Sequence, residues 1–269
     1  MTQAQAVLPT ETEDLVLRTD DEGVTTVTLN RPAARNALST GLMADLDGVL
    51  QAIAEDRTVK VVILAASGPA FCAGHDLKEI RSQPREEVYA ALFEQCSILM
   101  KRIVRLPQPI IAQVHATATA AGCQLVASCD LAVAADTARF ATPGVNIGLF
   151  CSTPMVALSR NVAHKHAMEM LLTGDLIDAE DARRIGLINR IAPADRLADE
   201  TMALARQIAS KSPLSLGIGK EAFYRQAEMN LDDAYAYASA VMTRNMLADD
   251  AAEGIDAFLT KRTPVWRGT

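Results

Sequence analysis

Hydrophobic and polar positions near the start of the chain form short β-type runs. The stretch LVLRTDDEGVTTVTLN has two such runs around residues 20–23, which predicts a β-hairpin. Ser39 then stands where it can cap a helix that runs to about Asp56. The continuous run VKVVILAA is typical of a strand buried on both faces.

The rest of the chain alternates between strand and helix patterns. REEVYAALFEQCSILMKRIVRL predicts a helix that Pro107 ends, and IIAQVHATATA predicts a strand that leads into a helix from Ala121. LAVAA, ARFAT and LINRIA are further strands, with helices predicted at 154–162, 165–172 and 179–185. From residue 195 the pattern is helical, with a break near Pro213.

This alternation predicts an α/β fold with a parallel sheet and helices packed outside it. We divide the chain into a flexible tail at 1–12, a core at 13–195 and a C-terminal helical region at 196–269.

Composition narrows the classes of partner. Of the 269 residues 49% are apolar, and the net charge of −7 argues against a nucleic-acid partner. No apolar stretch has membrane-spanning length, and the first residues resemble no targeting signal. The chain has five cysteines, an odd number, and no two of them are spaced as CxxC. We therefore expect free thiols and a cytoplasmic protein.

Two loops after predicted strands are rich in Gly and Ala: SGPAFCAGHD and ATATAAGCQ. Small residues let a ligand approach the backbone, and the second loop opens a helix whose first N–H groups are free. Together the two loops could supply converging N–H donors, which is the composition of an oxyanion hole.

These stretches resemble the crotonase superfamily, the enoyl-CoA hydratase/isomerase family. LNRPAARNALS resembles its opening loop, GPAFCAGHDLKEI its first signature, and VHATATAAGCQLVASCDLAVAADTARFATPGVNIGL its second. LLTGDLIDAEDARRIGLINRI and EGIDAFLTKRTPVW complete the order along nearly the whole chain. More narrowly, the chain resembles the enoyl-CoA hydratase domain-containing protein 3 branch.

The resemblance implies a spiral of ββα units and a C-terminal helical region that forms a homotrimer, often paired into a hexamer. It implies an acyl-CoA ligand, with coenzyme A as part of the substrate and no covalently bound cofactor or metal. The family's oxyanion donors correspond to the backbone N–H groups of His75 and Ala121. The residues that border CoA correspond to Arg35, Ala37, Ala73, Asp76 and Leu77, with Phe258 and Lys261 reaching it from the tail, from a neighbouring subunit in one arrangement.

The sequence departs from the family at the two glutamates used for hydration. Their positions hold Gln124 and Gly144, and the following Gly-rich turn is replaced by FCSTP. A carboxamide cannot take a proton from water, and glycine offers no side chain. Ordinary hydration is therefore doubtful, and restoring both glutamates is expected to raise it.

Other polar residues near these motifs have simpler interpretations. We expect the His75 ring to point to solvent, although it could serve acid–base chemistry, and His115 to be a satisfied core histidine. Cys151 and Ser152 are expected to pack, and Asp130 to cap or bond backbone locally.

Three functions remain open. The chain could be an enzyme acting on an acyl-CoA by stabilising an oxyanion or enolate, a protein that binds and sequesters acyl-CoA, or a structural subunit beside active relatives. Fatty-acid metabolism is the setting that the resemblance implies.

Overall fold

The computed structural model describes residues 14–269 and has two sheets rather than the one that the hydrophobic pattern predicts. The flexible tail predicted at 1–12 lies outside the described residues. The strands are β1 (Val16–Asp21), β2 (Val24–Leu29), β3 (Val61–Ala66), β4 (Ala70–Cys72), β5 (Ile110–Val114), β6 (Thr117–Thr119), β7 (Leu131–Ala135), β8 (Arg139–Ala141), β9 (Ile177–Asp178) and β10 (Arg190–Ala192).

The helices cover the sheets and then continue as a separate C-terminal group. They are α1 (Thr40–Glu55), α2 (Leu77–Ser82), α3 (Glu86–Arg105), α4 (Ala121–Ser128), α5 (Pro154–Asn161), α6 (His164–Thr173), α7 (Ala179–Arg184), α8 (Leu197–Ala209), α9 (Pro213–Gln226), α10 (Leu231–Met246) and α11 (Asp249–Thr260). Short 3-10 turns lie at Pro32–Ala34, Pro143–Ile147 and Ala194–Arg196.

The larger sheet has the order β1-β2-β3-β5-β7-β10 and is parallel except for the β1–β2 hairpin. The hairpin, the α1 cap at Ser39 and the parallel sheet are confirmed. Ser39 Oγ accepts the N–H of Leu42 at 3.2 Å, which satisfies one free donor of the first turn.

The smaller sheet has the order β4-β6-β8-β9, with β8 and β9 antiparallel. The chain passes from the larger sheet to the smaller one and then into a helix, as in β3–β4–α2 and β5–β6–α4. This is the ββα repeat that the resemblance implies. The two Gly/Ala-rich loops connect β4 to α2 and β6 to α4, so the smaller sheet sets their positions.

The hydrophobic core is divided by the larger sheet. One face packs with α1, α3 and α4, and the other is covered by α8 through Leu204 and Ala205. Our boundary at residue 196 therefore separates α8 from the sheet that it covers. The projecting helices begin later, at Pro213, where the sequence pattern shows its break.

Candidate functional site

The opening loop, residues 31–39, lies directly against the loop that follows β4. The N–H of Ala73 donates to Arg35 O at 3.1 Å, and the N–H of Leu38 donates to Gly74 O at 2.7 Å. These bonds bring together five of the residues expected to border CoA, namely Arg35, Ala37, Ala73, Asp76 and Leu77.

A buried asparagine that the sequence analysis missed shapes this opening loop. Asn36 is fully buried and has a positive φ of 51°. Its Nδ2 donates to Ser67 O at 2.8 Å and Ala70 O at 2.9 Å, and its Oδ1 accepts the N–H of Arg31. All of its hydrogen-bonding atoms therefore serve the backbone. Asparagine is one of the few non-glycine residues that tolerate a positive φ, so an asparagine in this loop was the sequence signal for such a conformation.

Asp76 fixes the geometry of the first-signature loop. Its Oδ2 lies 2.7 Å from Arg31 Nη1, and its Oδ1 accepts the N–H groups of Lys78 and Glu79, which caps α2. The Arg31 guanidinium and these N–H groups outweigh the effect of burial and lower the pKa of Asp76. The carboxylate is thus engaged by the protein itself, so Asp76 is a structural residue of this loop, and its place beside CoA stays a prediction.

The His75 amide is free to act as an oxyanion donor. Gly74 O and the N–H of Asp76 both bond Leu38, so His75 sits in an isolated parallel bridge between them. In such a bridge the N–H of the intervening residue points away from its partner strand. Within residues 14–269 no acceptor binds this N–H.

The second donor lies at the start of α4. Ala121 is the first residue of the helix, so no carbonyl one turn earlier accepts its N–H. A Cβ added to Gly74 would lie 3.5 Å from Ala121 N, which places the two donor loops in direct contact. His75 and Ala121 therefore lie in adjoining loops, and the convergence of their amides on one oxygen, as an oxyanion hole requires, stays a prediction.

The backbone conformation of this turn differs from the expectation at one residue. The family glycine aligned with Ala121 suggested special angles there, but Ala121 is helical. Ala120, one residue earlier, has φ 51° and ψ −118°. A non-glycine residue in that region costs on the order of 1–3 kcal/mol, and such strain is concentrated at functional sites.

Gln124 is buried in the first turn of α4. Its Oε1 lies 3.9 Å from Cys96 Sγ on α3, a long and weak contact. No described residue accepts a hydrogen bond from its Nε2. The side chain therefore remains available to a ligand, but it carries no titratable group.

Gly144 lies in the 3-10 turn after β8, and its surroundings leave no room for a side chain. An added Cβ would come within 2.8 Å of Leu149 O and 2.9 Å of Cys151 Sγ. Leu149 and Cys151, at the start of the turn that contains FCSTP, occupy the space next to Gly144. A glutamate at residue 144 therefore requires this turn to shift, and our expectation that restoring both glutamates raises hydration stays a prediction.

The two tail residues are not joined to the rest of the site within one protomer. Phe258 is 82% exposed on α11, and Lys261 follows that helix with φ 57°. Among residues 14–269, α11 makes its main helix contacts with α9 and α10. Their role at a CoA site stays a prediction that requires a neighbouring subunit.

Three expectations about individual side chains need comment. His75 does not point to solvent: its ring nitrogens are buried, and the ring meets Phe93 edge-on at 5.7 Å. His115 is half-buried and satisfied by Gly68 O at 2.8 Å, so it is satisfied but not in the core. Cys151 is buried, which confirms packing, while Ser152 is exposed.

Asp130 corrects a further expectation, because its partners are distant in sequence. It accepts the N–H of Ile110 at 2.7 Å and the hydroxyl of Tyr224 at 3.0 Å, and it pairs with Lys220 Nζ at 2.7 Å. Local capping is therefore wrong, since these contacts tie α9 to the larger sheet.

Comparison with known proteins agrees with this geometry. The sequence model of the family described as Enoyl-CoA hydratase/isomerase matches residues 19–269. The chain belongs to the enoyl-CoA hydratase/isomerase family.

Relatives support the narrower resemblance as well. "Enoyl-CoA hydratase domain-containing protein 3, mitochondrial" of Mus musculus is 47% identical over 245 residues, covering 91% of this chain and 82% of the relative. The 2,3-dehydroadipyl-CoA hydratase of Escherichia coli (strain K12) is 35% identical over 243 residues, covering 90% and 94%.

Solved structures have the same crotonase fold. An enoyl-CoA hydratase from Mycobacterium smegmatis has a TM-score of 0.93 and 53% identity, covering 94% of this chain and 99% of that one. Human enoyl-CoA hydratase domain-containing protein 3 has a TM-score of 0.91 and 45% identity, covering 94% and 100%. The α/β fold and the family resemblance are both confirmed.

None of the helices within residues 14–269 combines the length and apolarity needed to cross a membrane. The name of the mouse relative places that protein in mitochondria. Our cytoplasmic assignment for this chain stays a prediction.

Proposed function

We propose that this enoyl-CoA hydratase-like chain binds an acyl-CoA thioester and does not catalyse ordinary hydration. The observation that carries the proposal is the pair of free amides at His75 and Ala121, which lie on two loops that meet at Gly74. These amides would hold the thioester oxygen, and each such donor is worth about 10²–10³ in rate when charge develops there.

The CoA moiety would lie along the surface shared by the opening loop and the first-signature loop. Arg35 is exposed there and supplies the positive charge that CoA phosphates require. Asn36 and the Arg31–Asp76 pair keep this surface in shape. Phe258 and Lys261 would complete it from a neighbouring subunit.

Hydration fails in this proposal because the two family positions, residues 124 and 144, hold no carboxylate. Gln124 can bind a water molecule but cannot take its proton, and the space beside Gly144 is filled by backbone and Cys151. General acid–base groups each contribute about 10²–10⁴-fold, so losing both removes several orders of magnitude.

Two functions agree with this arrangement. An enzyme could use the oxyanion hole to stabilise an enolate, and a binding protein could sequester the thioester without turnover. The occupied space at Gly144 favours the binding protein over a hydratase, because the backbone itself has adapted to the loss.

Binding is tested by isothermal titration calorimetry with acetyl-CoA and butyryl-CoA, with free CoA as the control. We expect the thioesters to bind more tightly than CoA, because only they carry the thioester carbonyl oxygen that the two amides would bind. An absence of binding at millimolar thioester would overturn the proposal.

Hydration itself is tested with crotonyl-CoA, followed by loss of the enone absorbance. We expect little turnover by the parent protein. Gln124→Glu should raise it by about 10²-fold, because it places a base at the first family position.

Gln124→Met is the matched control, since it keeps the side-chain length without a base and should give no gain. A parent protein that hydrates crotonyl-CoA with kcat in the usual range of about 1–10³ per second would contradict the proposal.

A further inference from the structure

The chain that follows α11 folds back along this helix as a strap, residues 262–269. Apolar packing holds α11 only weakly, because Asp250 and Ala257 are the buried residues of this 12-residue helix in the single protomer. Three of its large apolar side chains are exposed there, namely Ile255, Phe258 and Leu259. The polar contacts of the strap therefore supply much of what keeps α11 in position.

The first fastening point is the buried carboxylate of Asp250, in the first turn of α11. Its Oδ1 accepts the N–H of Arg267 at 2.7 Å, and its Oδ2 accepts the Ser212 hydroxyl at 2.6 Å. The N–H of Gly268 lies 3.2 and 3.1 Å from the two oxygens, and the N–H of Asp250 donates to Thr269 O at 3.0 Å. Burial opposes ionisation of Asp250, but these hydrogen bonds outweigh it and lower the pKa of the carboxyl group.

The strap and α11 are joined at this point to the junction between α8 and α9. Ser212 Oγ accepts the N–H of Ser215 at 3.1 Å and thereby caps α9, while its own hydrogen goes to Asp250. Trp266 of the strap reaches the same junction, since its Nε1 donates to Ser210 O at 2.8 Å. Its ring lies against α11 at Gly254, where an added Cβ would come within 3.1 Å of the ring.

Glu253, one turn further along α11, is the second fastening point. Its two oxygens accept both Nη groups of Arg262 at 2.6 and 2.7 Å, and Oε1 accepts the N–H of Val265 at 2.8 Å. Glu253 is only partly covered, so water can replace these bonds at low cost. The buried bonds of Asp250 are therefore the ones whose loss should open the strap.

We propose that the strap is a latch that can open together with α11 while the α/β core stays folded, and that Asp250 keeps it closed. Segments with few buried apolar contacts are those that open locally in native proteins. Lys261 stands at the joint between helix and strap, with φ 57°. A closed latch would therefore fix Phe258 and Lys261 for the CoA surface of a neighbouring subunit. This last consequence rests on the proposed function, whereas the latch itself does not.

Trp266 is the only tryptophan of the chain, so its fluorescence reports the strap directly. Asp250→Asn replaces one acceptor oxygen by an N–H₂ group that faces other donors. We expect its Trp266 emission to shift to the red while most of the far-UV circular dichroism is kept. Asp249→Asn is the matched control, because it removes the same charge one residue earlier at an exposed position. It should keep the parent emission.

Urea unfolding of the parent protein tests the latch without any substitution. The emission of Trp266 should change at a lower urea concentration than the far-UV ellipticity, because the strap opens before the core unfolds. Coincident transitions would overturn the latch, and so would parent-like emission in Asp250→Asn. Loss of the whole fold in that variant would also overturn it, because the core would then depend on the strap.

Calorimetry with acetyl-CoA tests the consequence for the site. Asp250→Asn should bind acetyl-CoA about tenfold more weakly than Asp249→Asn, a coupling of ordinary size between separate sites. Equal affinities despite a red-shifted Trp266 would overturn the link between latch and ligand. If acetyl-CoA does not bind the parent protein, the proposed function fails, while the fluorescence result still decides the latch.

Discussion

At the residue scale, Gly74 is the point on which the two donor loops depend. Its φ is 95°, and an added Cβ would lie 2.9 Å from Ala120 Cβ and 3.2 Å from Thr119 O. Glycine is needed both for the conformation and for the close approach. Ala120, on the facing loop, also has a positive φ, so a displacement of either loop would move one of the two proposed oxyanion donors.

Gly74→Ala is therefore expected to destabilise the protein by about 3 kcal/mol, from backbone strain and the contact with Ala120. It should also abolish the difference in binding between acetyl-CoA and CoA. Urea denaturation and calorimetry give the two measurements.

Gly148→Ala is the matched control for the glycine substitution. Its φ of 77° is also positive, but a Cβ there meets nothing within 4 Å. It should cost only about 1 kcal/mol and leave binding unchanged. Equal losses for the two variants would show that the loop contact at Gly74 has no special importance.

At the scale of elements, α9 is attached to the core by a buried ion pair. Lys220 Nζ pairs with Asp130 and donates to Ile103 O and Gln108 O at 3.1 Å. Burial lowers the pKa of Lys220, and Asp130 works against this effect. The pair is fully hydrogen-bonded, so removing one partner leaves a buried charge without compensation.

Lys220→Met should destabilise the protein by about 3–5 kcal/mol, because it leaves the Asp130 carboxylate beneath α9 without its positive partner. Chemical denaturation followed by circular dichroism measures the change. Arg225→Met on the same helix is the control. Arg225 pairs with Glu221 at an exposed position, and its loss should cost about 1 kcal/mol or less. A Lys220 variant no less stable than the Arg225 variant would refute the role of the buried pair.

The sequence predicts the long elements well because their periodicity is sustained. The 20-residue α3 and the apolar β3 both stand where the pattern places them. The smaller sheet is missed because β4, β6 and β9 contain two or three residues each, too few to show an alternation.

For the site, the sequence predicts the main-chain donors and the replaced glutamates, because both lie inside recognisable motifs. It does not reveal that neighbouring atoms leave no space for a side chain at Gly144, or that the His75 ring is buried. Those facts depend on residues such as Leu149 and Phe93 that reach the site from other elements. Asp130 shows the same limit, since its partner Lys220 lies 90 residues further along the chain.

At the scale of the whole molecule, the C-terminal helices expose apolar surface. No residue of α9 or α10 is buried as a whole in the single protomer, although the Lys220 side chain on α9 is covered. Their large exposed apolar side chains are Phe223, Leu231, Tyr235, Met242 and Met246. Exposed apolar area of this kind marks an interaction surface, and it favours the homotrimer, or hexamer of two trimers, that the family resemblance implies.

Sedimentation velocity should accordingly give a mass of three or six 28.8 kDa chains. Tyr235→Lys together with Met242→Lys should shift the protein toward monomer, because the two residues lie two turns apart on one face of α10. Leu17→Lys, on the edge strand β1, is the control and should leave the mass unchanged. A monomeric parent protein would rule the assembly out.

The five cysteines have a practical consequence for anyone who handles the protein. All are buried, and burial raises the pKa of Cys72, Cys96 and Cys123 to about 12. Since only the thiolate reacts readily, alkylating reagents have no target while the fold is closed. The rate of iodoacetamide labelling, read by mass spectrometry cysteine by cysteine, therefore reports how often each part of the interior opens.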